Sequence, residues 1–374
     1  MIRGRKVCRV TAIVRKGLTK SLVPHLTSAG IVNFSISSAR TIILHEKRKG
    51  LGMVNPFKLV EDQADIIVFL VGLAQEEQAL DLVIDHGELM LPGRGTVYSE
   101  EVTLIESPEW SQENEISSSP DPTVKKQSSL AGLCCVVQRG QANPVARVAL
   151  DMGASVPAVS FGIGTGIREK LGLLRIAIPA EKEIIHLAVS TYDADPLMKM
   201  MITAGNLDQP GKGFIFTYPI HKGLIDTKIT HGITRHVASV EQIIATLDEI
   251  KGDIGWRRRS GRETLLLDEE HLLSGLIDLT VICNEGRGRD LIKEGMRAGA
   301  RGATIISKIK NHVSPDLKPK ALSPAREACS MAVREDQRDG IVEALLGAGL
   351  FDEKTSGQIL VRSIPKAFTY ARMR

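Results

Sequence analysis

The chain has 374 residues and a formal charge of only +4, with 43% of its residues apolar and 25% charged. That length is too great for one ordinary domain, and that composition excludes a disordered or fibrous chain. So small a net charge gives no ground for nucleic acid as a partner, and aromatics at 4% leave the cores to Ile, Val, Leu, Ala and Met.

In chain order, Ala12-Ile13-Val14-Arg15-Lys16-Gly17 predicts a strand running into a helix that ends at Ala29-Gly30. A β-rich run (31–43), a basic polar loop (45–61), a strand (65–71) and a second helix (75–84) follow. The turn Pro92-Gly93-Arg94-Gly95 then leads to a last strand (96–105). Residues 108–129, rich in Ser, Pro, Glu and Asp, read as a linker.

Val136-Val137-Gln138-Arg139-Gly140 begins the same order again, with a helix ending at Met152-Gly153. A strand (156–161), a glycine-rich loop (163–180), a strand (184–189) and a helix (195–204) follow. Pro210-Gly211-Lys212-Gly213 precedes the strand at 214–220. Residues 240–251 predict an amphipathic helix, followed by Trp256 and the triplet Arg257-Arg258-Arg259. The third passage opens at Val281-Ile282-Cys283-Asn284-Glu285-Gly286 and its helix ends at Ala298-Gly299. A strand (303–309), a loop with prolines and lysines (311–324), a strand (329–333) and a helix (337–348) follow. Thr355-Ser356-Gly357 precedes the strand at 358–364.

The two glycines of each opening strand and helix are spaced thirteen positions apart in all three passages, and the turn before the last strand recurs in place. A fixed internal spacing is the mark of a repeat. The expected fold class is α+β: three tandem ferredoxin-like βαββαβ modules forming a single-chain pseudo-trimer. The expected organisation is a first repeat at 1–107, a linker at 108–129, a second repeat at 130–236, a connecting helix and basic linker at 237–275, and a third repeat at 276–374.

The repeated order, its projecting loop and its glycine turn resemble the PII nitrogen-regulatory family over nearly the whole chain outside the linkers. The likeness is clearest in the second repeat. There, Pro210-Gly211-Lys212-Gly213-Phe214-Ile215-Phe216 is similar to the family's B-loop and following strand. Gly162-Ile163-Gly164-Thr165-Gly166-Ile167-Arg168 is similar to the base of its T-loop. The resemblance implies a PII-like signal-transduction regulator that binds a small effector in clefts between repeats, such as ATP, ADP, AMP or another anion. It would control a target protein, for example a membrane transporter or a metabolic enzyme, through its projecting loops. The implied ligand-binding residues are Gly164, Gly166, Arg168, Gly211, Lys212, Gly213, Gly93, Arg94, Gly95, Ser356 and Gly357. Glycines let backbone N–H groups reach phosphate oxygens, and Lys212 and Arg94 add charge-assisted bonds. The loop residues implied in partner binding are Lys47, Arg48, Lys49, Lys318 and Lys320. The family's modifiable T-loop tyrosine has no counterpart, because none of the three loops contains Tyr. A protein that keeps this fold without a ligand, as an interaction scaffold, is the alternative.

Catalysis and resident cofactors are not expected. The nine His are dispersed, with no HxH or HExxH, the five Cys show no CxxC, and no full Walker loop occurs. No metal site is predicted. Cysteine usage fits a reducing cytoplasm. The longest apolar run, 66–74, is interrupted by Gly72 and is too short to cross a bilayer, and the charged start leads into no signal-type segment. A soluble cytoplasmic protein is expected, with no direct membrane insertion.

Overall fold

The computed structural model describes residues 4–46, 57–106, 114–117, 124–166, 181–227, 230–231, 272–313 and 324–370. The predicted helix at 240–251, Trp256 and the arginine triplet lie outside them.

The first stretch contains β1 (Arg5–Arg15), α1 (Lys16–Ser28), β2 (Asn33–Glu46), β3 (Phe57–Val71), α2 (Glu76–His86) and β4 (Gly95–Glu106). The second contains β5 (Leu130–Gln138), α3 (Ala142–Asp151), β6 (Ala158–Gly166), β7 (Glu181–Ser190), α4 (Ala194–Gly205) and β8 (Gly213–Ile220). Two short strands follow it, β9 (Lys222–Leu224) and β10 (Thr230–His231). The third contains β11 (Leu276–Asn284), α5 (Gly288–Arg297), β12 (Gly302–Val313), β13 (Ala325–Arg334), α6 (Arg338–Gly347) and β14 (Gln358–Ile364), with β15 (Ala367–Thr369) after it.

The order of elements recurs, but the expected fold class does not stand. Instead of three small ferredoxin-like modules, the strands join into one sheet of fifteen, ordered β10-β2-β3-β1-β4-β14-β11-β13-β12-β6-β7-β5-β8-β15, with β9 on β4. Among the described residues every pairing between these strands is antiparallel except β10 with β2. The physical reason lies at the strand edges. An edge strand has unpaired N–H and C=O groups, and a neighbouring stretch of the same chain is the nearest partner. Thus β4 pairs with β14 through Leu104↔Leu360, and β2 pairs with both β12 and β6. The β2–β12 pairing closes a hydrogen-bonded circuit through β3, β1, β4, β14, β11 and β13.

The helices cover one side of the strands and divide the apolar interior. Leu22, Leu26, Leu80 and Val83 pack on Val10, Ala12 and Ile67 in the first stretch. Val145, Ala149, Leu197 and Met201 pack on Leu133, Cys135 and Ile185 in the second, and Leu291, Ile341 and Leu345 on Leu279, Val281 and Met331 in the third. The other side carries a helix-free cluster drawn from all three stretches, including Ile13, Tyr98, Cys134, Phe216, Tyr218 and Ile364. Burial on both sides explains why β1 and β5 read as near-continuous apolar runs rather than alternating ones.

One buried carboxylate occupies the same register in each stretch. Val14, Val137 and Cys283 stand opposite Asp65, Glu183 and Glu327. Each acid reaches the start of the helix that follows its partner strand. Thr19 donates to Asp65 at 2.7 Å, Gly140 and Ala142 N–H donate to Glu183 at 2.8 and 2.9 Å, and Gly288 N–H donates to Glu327 at 2.9 Å. A carboxylate beside the N-terminal N–H groups satisfies donors the helix cannot use and complements its dipole.

The described parts of 108–129 lie against the first stretch. The Asn114 amide accepts from Val32 and Asn33 N–H and donates to the Asn33 and Leu70 carbonyls. The Lys126 side chain is only 5% exposed and pairs with Asp81 at 2.6 Å and Glu77 at 2.9 Å. No helix among the described residues is long and apolar enough to cross a membrane. All five cysteines are buried and free.

Candidate functional site

The first glycine turn opens on a cleft. Its walls are the end of β1 (Ile13, Val14, Arg15), Thr41 and Ile43 of β2, Asp62 of β3, and Gly93-Arg94-Gly95. Val156 and Asp226 of the second stretch close it. Its free volume is about 20 Å³, and the rest is open to solvent. Two local features shape the turn. Gly93 has φ +82, in the left-handed region where a side chain is strained. At Gly95 a Cβ would stand 2.2 Å from the Ile13 carbonyl oxygen, so only glycine lets the turn lie this close to β1.

Charged groups at and beside the cleft are paired with opposite charges. Arg15 donates to Asp62 at 3.3 Å, and Arg94 pairs with Glu88 at 2.6 Å. Arg15 N–H donates to the Arg94 carbonyl at 3.2 Å. Gly93 N–H donates to the Asp226 carboxylate at 3.1 Å, and Asp226 N–H donates to the Thr96 hydroxyl at 2.9 Å. Two guanidinium groups and a turn N–H directed at a carboxylate are the donor set that an oxyanion takes. Of the residues implied as ligand-binding, the structure brings Gly93, Arg94 and Gly95 to this cleft.

The second turn, at Gly211, Lys212 and Gly213, has its carbonyls occupied. Gln138 donates from its amide to the Gly211 carbonyl at 3.2 Å, and the Thr369 hydroxyl donates to the Gly213 carbonyl at 2.9 Å. Gly164 and Gly166 do not line a loop. They lie within β6, opposite Thr304 and Gly302 of β12. The Lys182 side chain lies across Gly164, its Cε 2.7 Å from where a Cβ would stand. Lys182 is half-buried, and that desolvation lowers its pKa.

The third turn is sealed. Thr355 and Ser356 are buried. The Arg326 guanidinium, only 4% exposed, donates to the Ser356 carbonyl at 2.7 Å, the Asn284 side chain at 2.8 Å and the Ile282 carbonyl at 3.4 Å. Burial pushes its pKa down to about 10. A Cβ on Gly357 would stand 2.3 Å from a Leu350 methyl. Arg168, Lys47, Arg48, Lys49, Lys318 and Lys320 lie outside the described residues.

A second concentration of charge sits on the helix-free side, where none was expected. Arg362 donates to Asp278 at 2.9 Å and to Glu100 at 3.0 Å; the two acids are 1% and 2% exposed. Ser330 also donates to Asp278, at 2.7 Å. The Arg362 guanidinium lies 4.1 Å from the centre of the Tyr218 ring, whose hydroxyl is 2.9 Å from that of Tyr98. Burial opposes the Arg362 charge, but Glu100 and Asp278 outweigh it and hold the group well above the ordinary range. Nearby, His186 is 2.9 Å from the Ser160 hydroxyl. Burial, then Arg362 and Arg9, pushes its pKa down to about 3.

Sequence reasoning missed both the cleft partners and this network. Arg15 lies in the opening strand's own repeated words and Asp62 at the foot of the polar loop, so both were within reach. Asp226 follows β9, a short strand after the second stretch that corresponds to β15 after the third, and neither carried a signal. Glu100, Tyr218 and Arg362 each stand five residues after the turn glycines Gly95, Gly213 and Gly357. The charges Glu100 and Arg362 at one register of two corresponding strands are a legible sign. No group of three or more His, Cys, Asp or Glu side chains suited to a metal ion occurs among the described residues. No protein-family model matches the chain, and no curated protein matches it.

Proposed function

We propose that this chain is a ligand-responsive regulator whose effector, a small oxyanion or the phosphate of an adenine nucleotide, binds the cleft at Gly93-Arg94-Gly95. One observation supports this above the others: a glycine turn with its N–H facing a carboxylate opens on a cleft between two stretches of chain, flanked by Arg15 and Arg94. The resemblance to PII proteins supplies the wider reading, in which ATP, ADP or AMP signals to a target protein in the cytoplasm. A site walled by two stretches responds to its ligand by changing how they hold each other, because binding can stabilise only the arrangement it prefers.

Titration calorimetry with ATP, ADP, AMP and inorganic phosphate tests the reading. At least one is expected to bind, and Arg94→Ala is expected to weaken that binding about tenfold, the scale of one charge-assisted hydrogen bond. If phosphate alone binds, the effector is an oxyanion without a base; if only nucleotides bind, the base contributes. Absence of heat and of any melting shift with all four would overturn it.

The scaffold reading draws on a different observation. The third turn is filled by Arg326, and in the first turn Gly93 N–H and Arg94 already have partners within the chain. It predicts that none of the four ligands shifts the melting temperature.

A further inference from the structure

We infer that Asp226 is a tethered competitor that occupies the oxyanion position of the first turn and sets its affinity and selectivity; this rests on the reading of the cleft just given. Asp226 follows the short strand β9, which comes after the last long strand of the second stretch. Strand β9 pairs with β4 through Val97↔Leu224 and Ser99↔Lys222. That pairing delivers the next residues to the turn that precedes β4. There Asp226 is held at three atoms. Its N–H donates to Thr96 at 2.9 Å, its carbonyl accepts from Val156 N–H at 2.9 Å, and its carboxylate accepts from Gly93 N–H at 3.1 Å.

The first two contacts use backbone atoms and fix where the residue sits. The third uses the side chain, and it takes the turn N–H that an effector oxygen would take. An internal carboxylate at a fixed distance acts at a high effective concentration, so it reduces the apparent affinity of any anion that must replace it. Weakly competing anions are thereby excluded. A ligand that also engages Arg15 and Arg94 recovers what the exchange costs.

The test is phosphate and AMP titration of the full chain, as wild type, Asp226→Asn, Asp226→Ala and Asp226→Ala/Arg94→Ala. Asp226→Asn keeps the shape and both backbone contacts while removing the charge, so it separates competition from unfolding. Both single variants are expected to bind phosphate at least tenfold more tightly than wild type, and the double variant is expected to lose that gain. If wild type binds and the single variants bind no more tightly, the competitor role is overturned while the cleft reading stands. If none of the four proteins binds, both fall.

Discussion

The helix-free interior and the rim cleft each gather arginines and carboxylates from more than one stretch of chain, yet they hold them differently. In the interior, Arg362 bridges Glu100 and Asp278 with all three largely removed from water, and each acid has a neighbour fixed by strand register. At the rim, Arg94 and Glu88 are a third and more than half exposed, and Asp226 meets a turn N–H at the edge of an open space. Charges desolvated together cannot exchange partners without leaving one of them unpaired and buried, which is prohibitive. Charges at a wet rim exchange at little cost because water and salt screen them. The interior charges therefore specify how the stretches of chain meet, and the rim charges remain available for a ligand.

That contrast can be broken most sharply at Arg362. Arg362→Met leaves buried Asp278 without its cation and buried Glu100 with only Arg9, 3.9 Å away, and should cost roughly 3–5 kcal/mol of stability. Adding Glu100→Gln and Asp278→Asn should restore part of the loss in thermal or urea unfolding; equal stability of wild type and the single variant would remove the interior from the comparison. Arg326→Met comes next. It leaves carbonyl and amide acceptors of the third turn unpaired but relieves a buried charge, so about 2–3 kcal/mol is expected, with phosphate binding unchanged.

His186 gives a pH test of the same interior. Its folded pKa is pushed down to about 3, whereas an unfolded histidine titrates near 6.5. Between those values the unfolded chain binds the extra proton, so stability falls as pH falls through about 6.5 toward 3. The slope is up to about 1.4 kcal/mol per pH unit, or about 2 kcal/mol by pH 5. His186→Gln should flatten that part of the pH–stability curve, and parallel curves would refute the assignment. The smallest effect belongs to the rim. Arg94→Ala should change stability by less than about 1 kcal/mol while weakening effector binding, and a larger loss of stability would make Arg94 structural.

Much of the element order was legible because it rests on local chemistry. The strands from β1 to β4, the helices α1 and α2, and their counterparts follow from apolar spacing and terminal glycines, and most lie within a few residues of where those signals point, although β3 starts at Phe57, eight residues before the expected strand. What was not legible was which strand pairs with which. Nothing in Leu104 or Leu360 names the other, and nothing in Gly164 names Thr304, yet these register pairs join the three passages into one sheet. The candidate site divides in the same way. Gly93, Arg94 and Gly95 could be chosen because a tight turn requires glycine and an anion requires charge. Asp226 could not, because its importance comes only from the strand pairing that delivers it.

The amino-acid sequence by itself determined the alternation of strands and helices, the three glycine turns and the apolar character of both strand faces, since each depends on side chains close together in the chain. The tertiary structure alone decided that the strands form one sheet, that Arg326 fills the third turn, and that Asp226 sits on the first. Those outcomes depend on the desolvation and hydrogen bonding of groups that meet only after folding, where burial of one charge or one N–H selects its partner from anywhere in the chain.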